Sequence, residues 1–101
     1  MKLPSPTEIQ LLAIVAAGEL SGRDIAIRFK QATGEFISYG TLYTTFRRLK
    51  DAGWVSVRDD EDEDGRVRFF KLEGKGSVAL ERGREFYQML ANFGAVGRRV
   101  S

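Results

Sequence analysis

Ile37-Ser38-Tyr39-Gly40-Thr41-Leu42-Tyr43-Thr44-Thr45-Phe46-Arg47-Arg48-Leu49-Lys50-Asp51-Ala52-Gly53-Trp54-Val55, a charged turn, and then Arg66-Val67-Arg68-Phe69-Phe70-Lys71-Leu72 is the stretch that decides the fold. Ser38 is a helix-capping residue, and Gly53 is a stop. Between them Leu42, Phe46 and Leu49 recur at helical spacing and should face a core. Trp54 to Arg58 and Arg66 to Leu72 are β-rich runs separated by acids and Gly65, which predicts a hairpin with a long loop. Trp54 is expected to pack on the helix before it.

Working outward, two more helices precede this unit. Ser5, Pro6 and Glu8 supply a cap, a first-position proline and a capping-box acid, predicting a helix to about Ala17 with Gly18 as its stop. That helix is apolar on almost every side. Ile9, Leu12, Ala13 and Ala16 line one flank, while Leu11, Ile14 and Val15 line the other, so it needs cover from more than one direction. Ser21 opens a second helix with Ile25, Ala26, Phe29 and Ala32 inward, ending at Gly34; Ile27 falls off that stripe. A last helix is expected from about 74 to 93, with a broad apolar arc containing Leu80, Phe86, Tyr87, Leu90 and Phe93, and with Gly83 inside it. Residues 94–101 read as a frayed basic tail. The fold class is therefore mainly α with a two-stranded β wing: a winged helix-turn-helix at about 5–72, followed by a C-terminal dimerisation helix at about 74–93. The whole is expected to be a single domain.

Composition narrows the chemistry. The 101 residues contain neither cysteine nor histidine, which removes thiol chemistry, Cys-type zinc sites, and the commonest general base and metal ligand. No P-loop, dinucleotide-binding fingerprint or nucleophile elbow is present, so the reading is of a non-enzyme with no cofactor, no metal and no catalytic residue. No signal segment or membrane-length apolar run is seen, which predicts a cytoplasmic protein with no membrane partner. The net charge of +2 conceals a strong asymmetry, because residues 59–64 are six consecutive acids. Without them 16 basic residues face 14 − 6 = 8 acidic ones, a charge of +8. A basic body with one acidic tip suits nucleic acid. Asp60, Asp62, Asp64 and Gly65 match the start of a calcium loop, but Lys71 stands where that loop needs a bidentate Glu.

The polar side of the helix at Tyr39 to Ala52 is the candidate site. Ser38, Tyr39, Gly40 and Thr41 could present N–H groups and hydroxyls to a phosphate. Thr44, Arg47 and Arg48, with Tyr43 beside them, have types and spacing suited to groove contacts. Arg58, Arg66 and Arg68 could reach the backbone from the hairpin. The six acids argue against a wing tip that touches DNA, and they support an alternative: a winged-helix module that meets a basic protein partner and does not bind DNA directly.

Ser38-Tyr39-Gly40-Thr41-Leu42-Tyr43 and Arg48-Leu49-Lys50-Asp51-Ala52-Gly53-Trp54-Val55 resemble the PadR family of transcriptional regulators. The family's pattern is G-[TS]-L-Y, then R-L-E-x-x-G-[LW]-[IV], then a basic wing closing on Y-x-L-T-x-x-G. That closing phrase corresponds to Phe70-Lys71-Leu72-Glu73-Gly74-Lys75-Gly76, and Leu20-Ser21-Gly22-Arg23-Asp24-Ile25 is similar to the family's L-x-G-Y-E-I. The resemblance covers about residues 9–90. It implies a DNA-binding regulator, most often a repressor, acting on operator DNA as a homodimer. The C-terminal helix would pack on the partner's N-terminal region, which places Leu11, Ile14, Val15, Leu80, Gly83, Phe86, Tyr87, Leu90 and Phe93 at the dimer contact. It also implies a recognition helix in the major groove and, for some members, a small aromatic effector near the dimer interface. This chain lacks the last-helix Trp that certain drug-binding members use. It also has Lys50 where the family usually has Glu.

Overall fold

The computed structural model describes residues 2–62 and 65–100; Met1, Glu63, Asp64 and Ser101 lie outside the described residues. The order is α1 (Pro6–Ala16), β1 (Leu20–Ser21), α2 (Gly22–Thr33), α3 (Tyr39–Asp51), β2 (Val55–Asp62), β3 (Gly65–Leu72) and α4 (Gly74–Val100). Local chemistry sets the helix ends. Ser5 and Glu8 form a reciprocal capping box, with the Ser5 N–H donating to Glu8 Oε1 at 2.8 Å and the Glu8 N–H donating to Ser5 Oγ at 3.2 Å. The hydroxyls of Ser21 and Ser38 accept from the N–H groups of Asp24 and Thr41, capping α2 and α3. Gly34 (φ 76°) and Gly53 (φ 79°) take the left-handed conformation that lets the chain turn out of α2 and α3.

The strands form one antiparallel sheet in the order β1-β3-β2. β1 is a strand that sequence reading misses. Its two residues have no alternation to detect, and it exists because Leu20 and Ser21 pair with Phe70 and Phe69. The hairpin is longer than expected. Its register runs without interruption from Val55↔Leu72 to Asp62↔Gly65, so most of the acidic run is strand rather than loop. The physical reason is cross-strand charge pairing: Asp59 stands opposite Arg68 and Glu61 opposite Arg66. The calcium-loop match loses its loop for the same reason, since Asp60 and Asp62 sit in β2. Its Asp64 lies outside the described residues.

The core joins all four helices to the hairpin through Leu11, Leu12, Val15, Ile25, Phe29, Ile37, Leu42, Phe46, Leu49, Trp54, Val55, Phe70, Ala79 and Leu80. Three residues expected at a dimer contact, Leu11, Val15 and Leu80, are thus buried by their own chain. Periodicity showed that they need cover but not which element supplies it. Gly83 is likewise used internally. A Cβ there would meet Ile9 Cδ1 and Pro4 Cγ at 2.9 Å each, so the missing side chain lets α1 and the N-terminal segment approach α4. Ala32, expected inward, is exposed, and Ile27 is exposed too. α4 continues to Val100 instead of fraying near Phe93, because its late glycines weaken a helix by only about 1 kcal/mol each and no proline interrupts it.

Candidate nucleic-acid interface

The expected recognition surface starts with how α3 is held. Leu42, Phe46 and Leu49 are fully buried, and the Phe46 ring lies 4.5 Å from Phe70 on the hairpin. The Trp54 N–H donates to the Leu49 carbonyl at 2.9 Å, tying the helix end to the start of β2. Orientation of the opposite face follows from helical geometry, and Tyr39, Gly40, Thr41, Thr44, Arg47 and Arg48 are all exposed there. Thr45, between them in sequence, is buried, and its hydroxyl donates to the Thr41 carbonyl at 2.8 Å. Ser38 is more committed than sequence suggests. Besides capping Thr41, its hydroxyl donates to Thr41 Oγ1 at 3.0 Å, so its first duty is to fix the start of α3.

Tyr43 is a wedge as much as a surface residue. Its ring stacks on Tyr39 at 6.1 Å, lies 6.1 Å from Phe70, and has the Arg68 guanidinium 5.8 Å from its centroid. Gly22 makes room for it: a Cβ at Gly22 would lie 2.8 Å from the Tyr43 hydroxyl. Tyr43 therefore couples α3 to the start of α2 and to β3.

Two shallow depressions flank this wedge. One, of about 410 Å³, is lined by Arg23, Tyr39, Tyr43, Arg66 and Arg68 beside the start of α2. The other, of about 490 Å³, runs between α3 and the hairpin and is lined by Thr44, Arg47, Lys50, Asp59 and Arg68 among others. Arg23 and Lys50 thus join the candidate surface. For Arg23 the available signal was its place in Leu20-Ser21-Gly22-Arg23-Asp24-Ile25, next to the cap of α2.

The hairpin divides its charges between two faces. Direct partners share a face. The ladder that starts in the core with Val55↔Leu72 and Val57↔Phe70 continues outward as Asp59↔Arg68 and Glu61↔Arg66. Arg66 and Arg68 therefore stand on the side that meets α3, and Asp59 reaches both at 3.5 and 3.4 Å. Arg58 stands on the other face. Its guanidinium donates to both Glu19 oxygens, at 2.7 and 3.4 Å, and to Asp60 at 2.9 Å, over the Phe69 ring at 4.6 Å. Hydrogen bonds from Arg58 hold the carboxyls of Glu19 and Asp60 below the usual carboxylate range. Arg58 is thus a clamp between β2 and Glu19, the residue that leads into β1, rather than the free backbone contact expected from sequence.

Tyr87 is held by its hydroxyl donating to the Pro4 carbonyl at 3.4 Å, but among the described residues much of the apolar side of α4 around and beyond it stays exposed. Phe86, Met89, Leu90 and Phe93 are exposed, and Ile14 on α1 is half-buried. Among the described residues no helix is long and apolar enough to cross a membrane.

The family described as transcriptional regulator PadR-like matches residues 11–82. The chain belongs to the PadR-like family. The negative transcriptional regulator PadR of Bacillus subtilis is 30% identical over 77 residues, covering 74% of this chain and 39% of that protein. The chain therefore spans about two fifths of the length of this curated relative. Among solved structures, a PadR family transcription regulator from Clostridium difficile superposes with a TM-score of 0.76 at 17% identity, over 96% of this chain and 100% of that one. Bacillus subtilis PadR in complex with operator DNA superposes with a TM-score of 0.70 at 23% identity, over 77% of this chain and 47% of that one. The expected family and the winged-helix fold are both borne out.

Proposed function

We propose that this PadR-like regulator binds operator DNA as a homodimer and represses transcription. The carrying observation is the exposed face of α3, where Thr44, Arg47 and Arg48 stand clear of the core beside the hairpin face that carries Arg66 and Arg68. A helix so mounted fits a major groove about 12 Å wide, with arginine reading guanine and the threonine methyl touching thymine. Arg23 and the start of α3 would contact flanking phosphates. The Bacillus subtilis relative bound to operator DNA supports this reading.

Dimerisation would be completed by the exposed arc of Phe86, Leu90 and Phe93, with Tyr87 at its margin and Ile14 of α1 joining from the family pattern. The contact is proposed without Leu11, Val15 and Leu80, which their own chain already buries. Two recognition helices would then read half-sites about one helical turn apart or a multiple. A planar aromatic effector at that contact is part of the same reading, as is a cytoplasmic location. The test is selection of bound fragments from the host genome followed by titration at several salt concentrations. Affinity should fall by orders of magnitude between about 50 and 200 mM salt. Binding that is flat with salt would overturn the proposal.

A further inference from the structure

The acidic run has no part in groove reading, yet two of its members, Asp59 and Glu61, sit on the side of the wing that meets α3, and Asp59 is the one that pairs with both arginines there. Asp59 bridges Arg66 and Arg68, at 3.5 and 3.4 Å, and lines the groove opposite Arg47 and Lys50. All three bridging side chains are well exposed, at 40, 69 and 50%. Ion pairs at such positions are weak and easily exchanged for another anion. A phosphate oxygen is the obvious competitor, and it would leave the Asp59 carboxylate facing the DNA backbone.

We propose that Asp59 is a specificity-determining residue: it acts as the wing's internal counter-ion, suppressing capture of arbitrary duplex by Arg66 and Arg68. The proposal rests on the DNA-binding reading above. Arginines on a wing see mainly backbone, which is the same in every sequence. Two unopposed arginines would therefore strengthen binding everywhere, including at the vast excess of wrong sites. An acid between them subtracts from that uniform term and leaves the base contacts of α3 to decide. Specificity is a difference of affinities, and weakening the wrong complexes raises it as surely as tightening the right one. Arg58 has its own clamp of Glu19 and Asp60, so it is withheld from DNA by a separate device on the other face.

The test uses the full chain and a mixed-sequence duplex of about three helical turns, with binding read by fluorescence anisotropy across a salt series. Each additional phosphate contact steepens the log–log salt slope by about 0.9, which corresponds to roughly tenfold in affinity near 0.1 M salt. Asp59→Asn should therefore bind about tenfold more tightly than wild type and with a steeper slope. Made in an Arg66→Ala, Arg68→Ala background and compared with that double variant, Asp59→Asn should give no gain. If wild type binds and Asp59→Asn has the same affinity and slope, the counter-ion role is wrong while the DNA-binding reading stands. A gain that survives loss of both arginines also overturns it, because it would then be a general charge effect. If neither protein binds duplex at low salt, the DNA-binding reading fails and this inference falls with it.

Discussion

Replacing Gly76 by alanine should separate the wing from α4, and its size can be worked out from the structure. A Cβ at Gly76 would lie 2.0 Å from the Trp54 carbonyl oxygen and 2.7 Å from Leu72 Cδ1. The first of these is backbone and cannot rotate away. Overpacking of this kind costs about 1–3 kcal/mol, and a backbone collision belongs at the upper end. The same carbonyl accepts from the Glu73 N–H at 2.9 Å, and a shift that relieved the clash would weaken that bond by about 1 kcal/mol. Opposing both is the better helix propensity of alanine, at most about 1 kcal/mol. The clash wins, and the net loss is about 3 kcal/mol. For a domain of this size that lowers the melting temperature by roughly 15 °C. Gly74→Ala is the control, since nothing lies within 4 Å of a Cβ there. Thermal melts of the two variants, at matched concentration because self-association adds apparent stability, decide the matter. Equal melting temperatures would refute the packing argument.

Other expectations concern the dimer and the clamp. Leu90→Glu puts a charge in the exposed arc of α4 and should give a folded monomer in sedimentation equilibrium, against the dimer proposed for wild type; an unchanged mass would remove that arc from the contact. Glu19→Gln should cost a small amount of stability at pH 7 and nothing in acid. The sign follows from the Glu19 carboxyl titrating lower in the folded chain than its ordinary value of 4.5, principally through the hydrogen bond from Arg58. Its contribution is present above pH 4.5 and is lost as pH falls through the folded value. Urea midpoints of the two proteins at pH 7 and near pH 3 check this, and a difference that grows in acid would contradict it.

Much of this molecule is legible in its residue order because its helix ends are written in local chemistry. Ser5, Ser21 and Ser38 cap where they were expected to, and Gly34 and Gly53 stop where they should. Leu42, Phe46 and Leu49 define the buried side of α3 by spacing alone, which leaves Thr44, Arg47 and Arg48 outward. What was hidden depends on long-range pairing. β1 has too few residues to show a pattern and is made by β3. Six acids in a row read as a solvated turn until Arg68 and Arg66 are placed opposite two of them, Asp59 and Glu61. Leu11, Val15 and Leu80 advertised a need for cover that proved to be intramolecular. Ile27, off the inward stripe of α2, proves to be a surface residue that lines an apolar depression with Ala26, Phe36 and Ile37.

DNA recognition by this chain is proposed to lie with the outward side of α3, which reads bases. It is tested most directly by measuring Arg48→Ala and Arg47→Ala against the selected genomic fragment and against a mixed-sequence duplex. Loss of a bidentate base contact is worth about 1–3 kcal/mol, or roughly tenfold to a hundredfold in affinity. The account predicts that at least one variant loses this much on the selected fragment and far less on the mixed duplex, so that discrimination collapses. Wild-type discrimination retained by both variants would contradict it.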